Sequence, residues 1–372
     1  MRPRGTSYAA AGVDTVGIET GLGRLLGRIN ATFAYPRRGR PVLPNGFFAN
    51  VLDLGRGQGL AISTDGVGTK VLVAHALGRY DTLGLDLVAM NVNDLLCVGA
   101  EPIAMVDYIA VPSADPELLE QLAIGLAEGA RQARISIPGG EIAQVRELLR
   151  PHPPDGREGV DLIATAVGLV DLERIVIGRE LAPGDCVIGI AASGIHSNGL
   201  TLARRVLAGL GGGADAYRER PAELGGATVG EELLRPTEIY VEPVMALLDA
   251  GVHVRAMAHI TGDGLLNLLR VDAAGIGFVL DALPPQPAIF ALIAGRGGIS
   301  ASEMFQTFNM GIGFCIVVPE AEVARALGLL AGEGRPAQVI GRAVRDPEKR
   351  LRLPQVGLVG VGKQFFAEDA MP

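Results

Sequence analysis

Three acids and one lysine stand where this sequence could handle a phosphate through a metal ion. The run "AISTDGVGTK" ends a strand-like stretch in Asp65, then bares the backbone at Gly66 and Gly68 before Thr69 and Lys70. "NVNDLL" sets Asp94 in an otherwise apolar helix, and "PGGEIA" sets Glu141 behind Gly140 at what reads as a turn. Singly, each is ordinary: a tight turn, a capping or solvated helix acid, a surface turn. Jointly, hard oxygen ligands from separate loops are what Mg²⁺ on a triphosphate requires, so Asp65, Asp94 and Glu141 are expected to share a metal. Asn91, Asn93 and Asp94 alternate with apolar positions in a helix fit for burial, where polar side chains need partners. Asp107 in "MVDYIA" interrupts a strand in the same way, although a satisfied inward carboxylate looks identical.

The second half offers a different set. "SGIHSNG" packs Ser193, His196, Ser197 and Asn198 into the turn before a helix. Free N–H groups at a helix start, with Ser and Asn nearby, make an anion site as readily as an N-cap. His259 closes the apolar strand of "AHITGDG", just ahead of a flexible loop with Thr261 and Gly262. A lone histidine is more often structural, yet strand ends are where α/β sheets put ligands. Other glycine patterns are decoys: "GLVGVGKQ" misses a P-loop by one residue, with Gln364 where Ser or Thr should bind the metal. "GLGRLLG" and "GRGQGL" lack the strand, helix and distal acid of a dinucleotide site. With no HExxH and no GxSxG, zinc-protease and serine-hydrolase chemistry have no anchor.

Positioning these residues takes an alternating α/β frame. "GLAIS" reads as a strand, "LGLDLVAMNVNDLLCVG" as a helix, "IAMVDYIAV" as a strand, "PELLEQLAIGLAEGARQAR" as a helix and "VDLIATAVGLV" as a strand. "LLRPHPPDGREG" is an exposed loop by composition. A second series follows: strand "CVIGIAAS", helix "NGLTLARRVLAGL", Gly-rich loop "GLGGGADA", helix "PTEIYVEPVMALLDAG", strand "VRAMAHI", strand "GIGFCIVV" and helix "EAEVARALGLLAG". Two domains are expected, residues 1–170 and 171–372.

Composition narrows the function classes. A chain of 372 residues with 48% hydrophobic residues, 52 glycines and no tryptophan suits an α/β enzyme rich in strand-to-helix turns. A net charge of −8 with scattered Lys and Arg argues against nucleic acid, so an anionic ligand would need metals or local donors. Charged residues are only 20%, which leaves apolar surface for another subunit. Cys97, Cys186 and Cys315 form no CxxC, and "TSYAAAGVDTVG" after the basic start is no signal h-region. No apolar run is long enough to span a bilayer, so a cytoplasmic protein without membrane partners is expected.

Together these stretches resemble one family, phosphoribosylformylglycinamidine cyclo-ligase, also called aminoimidazole ribonucleotide synthetase. "SYAAAGVD", "TDGVGTK", "DLVAMNVNDLLCVGAEP", "DYIA", "PGGE", "SGIHSNGLTLARRVL", "LLRPTEIYVEPV", "AHITGDGL" and "MFQTFNMGIGF" occur in family order. The resemblance implies an α/β (α+β) protein whose N-terminal domains pair into a dimeric β-barrel and whose C-terminal domain is an α/β sandwich. It implies an ATP- and Mg²⁺-dependent ring closure: the formyl amide oxygen of formylglycinamidine ribonucleotide is phosphorylated, then an amidine nitrogen displaces phosphate. Such chemistry needs positioning and charge neutralisation more than a covalent nucleophile. By position, Asp65, Gly66, Gly68, Thr69, Asn93, Asp107, Gly140 and Glu141 are expected at the nucleotide and its metal. Lys70, Asp94 and His259 are expected at the reaction, and Ser193, His196, Ser197, Asn198, Thr261 and Gly262 at the phosphorylated substrate.

The departures cluster on the substrate side. Asn30 ends "GRIN" where relatives usually carry lysine, and Asp263 stands in "TGDG" where they carry glycine. "NLLRV" shortens the usual "ENIPRV", and "GGEIAQVRELL" replaces "GGETAEMPGMY". Two alternatives therefore stay open on sequence alone: a paralogous kinase or ligase with another acceptor, and a regulatory subunit that binds ATP without turnover.

Overall fold

The computed structural model describes residue 12 and residues 15–149, 159–209 and 213–370. The first part runs α1 (Thr15–Ile29), β1 (Asn50–Gly55), β2 (Gln58–Gly66), α2 (Lys70–Leu77), α3 (Leu83–Leu96), β3 (Glu101–Val111), α4 (Pro116–Ala133), β4 (Ser136–Gln144) and β5 (Asp161–Asp171). The second begins with β6 (Cys186–Ala191), α5 (Leu200–Ala208), α6 (Ala214–Arg218), α7 (Val229–Leu233), α8 (Val241–Asp249), β7 (Ala256–His259) and β8 (Ile276–Val279). It continues with α9 (Ala288–Gly297), α10 (Ala301–Thr307), β9 (Ile312–Val318), α11 (Val323–Gly332), β10 (Ala337–Arg345), β11 (Leu351–Leu353), β12 (Leu358–Val361) and β13 (Gln364–Ala367).

These elements form two sheets, as an α/β chain of this length should. The first has the order β1-β2-β5-β3-β4, the second β13-β12-β11-β8-β10-β6-β9-β7. In the first sheet β5 lies antiparallel to both β2 and β3, whereas β4 is parallel to β3, the direction that a crossover through α4 demands. Alternation along β5 sorts its faces: Leu162, Ala164 and Ala166 are buried, and Ile163 and Leu169 point outward.

Helix α3 lies across the buried face of β2 and β5 and also touches α8 and β7 of the second part. It is therefore apolar on nearly all sides, and its few polar residues must find partners inside. On its far side α4 presses so close that a Cβ on Gly84 would sit 2.1 Å from the Leu126 nitrogen, so only glycine fits there. Helix α4 is well delimited: Asp115 caps it by accepting from the Glu117 and Leu118 N–H groups, and Arg134 ends it in the left-handed region.

The sequence reading departs from this frame in two places. "SIPGGEIAQ", read as a turn around Glu141, is the edge strand β4, and Gly140 is needed there because a Cβ would lie 2.0 Å from Asp107 Oδ1. The helix expected over "PTEIYVEPVMALLDAG" starts only at Val241, because side chains of α3 bond the Thr237 and Tyr240 N–H groups and Tyr240 stands outside helical backbone at φ −98°, ψ 12°. The P-loop decoy is the β12–β13 hairpin, turning at Gly362 and Lys363. The loop expected over 148–159 and the motif "SYAAAGVD" lie largely outside the described residues, as does part of the Gly-rich loop over 209–216.

Candidate active site

The C-terminal end of α3 gathers the chemistry. Asp94 Oδ1 lies 3.0 Å from His259 Nδ1, and Ser63 donates its hydroxyl to Asp94 Oδ2 at 3.5 Å. Asn93 Nδ2 approaches His259 Nε2 at 3.4 Å, so the ring is held between Asn93 and Asp94. Asp65, on the same face of β2 as Ser63, completes the group. Its carboxyl is pushed up to about 6 by burial and then by the Asp94 charge, against the pull of the Gly66 N–H and of His259. Asn91 clamps this strand end to the helix, accepting from the Asp65 N–H at 3.0 Å and donating to the Asp65 carbonyl at 3.2 Å.

Three loops rim this pair of carboxylates. Gly68, at φ +66°, lets the 65–70 loop turn beside the Ser197 carbonyl, and Thr69 meets Thr201 of α5 hydroxyl to hydroxyl at 2.9 Å. Asn198 donates to Met90 Sδ of α3, and a Cβ on Gly262 would lie 3.6 Å from its Oδ1. Asn267 secures the third loop by donating to Thr261 Oγ1 and to the Gly262 carbonyl. Asp65, Thr69, Ser197, Asn198, Thr261 and Gly262 are all half-buried, so their polar groups border an opening rather than a sealed core.

Several expected members lie elsewhere or face differently. Glu141 pairs with Tyr108, one residue out of phase with Asp107 and Gly140, so it projects from the opposite face of the sheet and does not join Asp65 and Asp94. Asp107 does share their face, but Ala164 of β5 stands between it and Asp65, about 10 Å away at two strand spacings. Lys70 is wholly buried with Nζ on Asp86 Oδ1 at 2.8 Å and on the Arg235 carbonyl at 2.6 Å, so its charge is spent inside the protein. His196, at φ +61°, is buried against Gly313 and Tyr240; burial, then His259 and Lys70, push its pKa well below the usual value and keep it neutral, unsuited to gripping a phosphate. His259 is also fully buried with both ring nitrogens engaged, which makes it a holder of Asp94 rather than a group in reach of a substrate.

The sequence reading passed over Asp86, Thr237, Ser63 and Cys97. Asp86 Oδ1 accepts from Lys70, from Ser197 and from both the N–H and hydroxyl of Thr237. Cys97 accepts from the His259 N–H at 3.2 Å, and burial pushes its thiol well above the usual range. A lone acid inside "LGLDLVAM" was the available signal for Asp86, the same signal that pointed to Asp94. Among the described residues no cluster of three or more His, Cys, Asp or Glu side chains is arranged for a metal.

Comparison with known proteins adds to this geometry. Residues 48–170 match the N-terminal domain of AIR synthase related proteins, and residues 182–354 match the C-terminal domain of the same group. The phosphoribosylformylglycinamidine cyclo-ligase of Thermococcus kodakarensis is 45% identical over 347 residues, covering 93% of this chain and 97% of its own. That of Methanothermobacter thermautotrophicus is 44% identical over 333 residues, covering 89% and 93%. Among solved structures, the thiamine-monophosphate kinase of Stenotrophomonas maltophilia superposes with a TM-score of 0.57 over 88% of this chain and 95% of its own. At 20% identity it shares the fold alone.

Proposed function

The chain belongs to the phosphoribosylformylglycinamidine cyclo-ligase family, and on that premise we propose how its residues divide the work. It is an ATP-dependent ligase of purine biosynthesis that closes formylglycinamidine ribonucleotide to aminoimidazole ribonucleotide. The observation that carries the division of labour is the carboxylate pair, Asp65 and Asp94, in which burial and then repulsion by the Asp94 charge push the Asp65 carboxyl up. Mg²⁺ fits there, because a divalent cation would relieve that repulsion and could hold ATP oxygens as well. When bound it would neutralise phosphate charge during transfer.

The chain's own residues do the rest. His259 and Ser63 fix the Asp94 carboxylate from two sides, and Asn93 fixes His259. The Gly66 N–H is taken by Asp65 Oδ1 at 2.7 Å, while Gly68 leaves the backbone of the next turn without a side chain, suited to close approach by phosphate oxygens. Ser197, Asn198, Thr261 and Gly262 form the opposite wall, where neutral polar groups suit a phosphorylated ribose and an amidine, while Ser193 gives its hydroxyl to the Pro236 carbonyl at the start of the same loop. Asp263, the added acid, meets Lys363 of the β12–β13 turn at 3.8 Å, which offsets its charge near that wall.

The outer face of the first sheet bears exposed Ile103, Val106, Tyr108, Ile163 and Leu169, and a second copy covering it would make the family's shared barrel. Among the described residues no helix is long and apolar enough to cross a membrane, and the three cysteines are free, which supports a place in the cytoplasm. Purified protein supplied with ATP, Mg²⁺ and formylglycinamidine ribonucleotide is expected to form aminoimidazole ribonucleotide. Nucleotide binding without that product would contradict the assignment.

A further inference from the structure

The other end of α3 carries a carboxylate that the reaction above does not use. Four donors converge on Asp86 Oδ1: Lys70 Nζ at 2.8 Å, the Thr237 N–H and hydroxyl at 2.7 Å each, and the Ser197 hydroxyl at 3.0 Å. They come from three separate stretches, "TDGVGTK", "SGIHSNG" and "RPTEIY"; the last two also meet where Ser193 donates to the Pro236 carbonyl and the Ser197 and Thr237 hydroxyls lie 3.2 Å apart. Lys70 adds another tie by donating to the Arg235 carbonyl at 2.6 Å. Lys70 and Asp86 have no solvent exposure, and Asp86 Oδ2 has no hydrogen-bond partner among the described residues.

Such a pair is a poor device for stability. Desolvating two charges offsets most of their attraction, and apolar side chains of similar volume often serve as well or better. An apolar pair could not, however, accept from Ser197 and Thr237. Ser197 belongs to the substrate wall, and Lys70 directly follows the loop that carries Asp65.

We propose that Asp86, oriented by Lys70, is a positioning residue for the ring closure. Its Oδ1 pins Ser197 and Thr237 to α3 and so sets the distance between the Asp65–Asp94 end, which takes Mg-ATP, and the Ser193–Asn198 loop, which takes the phosphorylated substrate. The inference rests on the function proposed above. It assigns to Asp86 an effect on acceptor binding and alignment, with nucleotide binding left alone.

Two double variants separate this role from plain structural support. Lys70→Met/Asp86→Asn removes both charges but keeps the accepting Oδ1; Lys70→Met/Asp86→Leu removes the charges and the acceptor together. The Asn variant is expected to keep kcat/KM for formylglycinamidine ribonucleotide within about tenfold of the parent. The Leu variant should lose about 100-fold or more, mainly through KM, as misplacement near 1 Å does. Both should bind Mg²⁺ with a non-hydrolysable ATP analogue within about threefold of the parent's affinity, because Asp65 and Asp94 are untouched. If both folded variants are equally active, or equally inactive, the positioning role is overturned. A wild type that forms no product overturns the function and this inference together, whereas a working wild type with equal variants overturns the inference alone. Should the Leu variant fail to fold by circular dichroism, Thr237→Val strips one hydroxyl donor to Asp86 and leaves both the ion pair and Ser197 intact. It is expected to raise the acceptor KM in the same way, and an unchanged KM there also overturns the proposal.

Discussion

The two ends of α3 carry carboxylates about two turns apart and treat them in opposite ways. Asp86 meets a lysine at 2.8 Å and is sealed from solvent with it. Asp94 keeps 16% of its side chain exposed and lies near a second carboxylate, Asp65, which burial and then the Asp94 charge push up to about 6. The same helix thus holds one acid paired with a buried lysine and one set between His259 and a second acid. An internally neutralised acid belongs to the frame, while an acid made costly by burial and by a neighbouring acid marks where a cation gains most by binding.

The comparison can be broken most sharply at Asp94. Asp94→Asn is expected to cut kcat/KM by on the order of 10²–10³-fold in the coupled assay, with circular dichroism unchanged. A loss under threefold would erase the distinction between the two ends. His259→Asn comes next: as the group that orients Asp94, its replacement should cost about 10–100-fold in Mg²⁺ affinity by titration. Full affinity in that variant would free Asp94 from the role given to His259.

Asp65→Asn sharpens the contrast from the side of stability. The folded protein holds a proton on Asp65 up to about pH 6, whereas the unfolded chain releases it near 3.8. The charged group therefore opposes folding above pH 6, and the opposition fades as pH falls from 6 towards 4. Asp65→Asn should accordingly stabilise the metal-free protein at pH 7.5 by on the order of 2 kcal/mol and show no gain near pH 4 in thermal melts. A variant less stable than the parent at pH 7.5 would refute the claim that burial and the Asp94 charge make the Asp65 carboxylate costly. The smallest effect is assigned to Glu141→Gln, which faces away from the pair and should change Mg²⁺ affinity by less than about threefold. A tenfold loss would bring Glu141 back to the metal.

Much of this was legible in the residues themselves. Asp65 and Asp94 stood out as acids in apolar surroundings, and strand-then-glycine spacing located the loop that turns beside Ser197. What stayed hidden depended on partners distant in sequence or on backbone geometry. Lys70 looked like a phosphate ligand because its counter-ion, Asp86, reads as one more helix acid until the helix is seen to be buried on all sides. Glu141 looked like a loop ligand because "PGGE" has turn composition, and only strand pairing reveals that Gly140 makes room for Asp107 while Glu141 points the other way. His196 looked exposed in a polar loop, yet its left-handed backbone turns the ring inward onto Gly313. The late start of α8 followed from hydrogen bonds made by Asp86 and Asn93, which no local propensity encodes.

The central claim is that the Asp65–Asp94 end awaits a cation that the Lys70–Asp86 end does not need. Calorimetric titration of Mg²⁺ with a non-hydrolysable ATP analogue, in two buffers of different ionisation enthalpy at pH 5.5 and 7.5, tests it most directly. A metal ligand must be deprotonated, so binding by the wild type is expected to weaken at pH 5.5 and to release a proton from Asp65 there, with little release at pH 7.5. That proton release should vanish in Asp65→Asn. Affinity independent of pH, or identical proton release in the variant, would contradict the account.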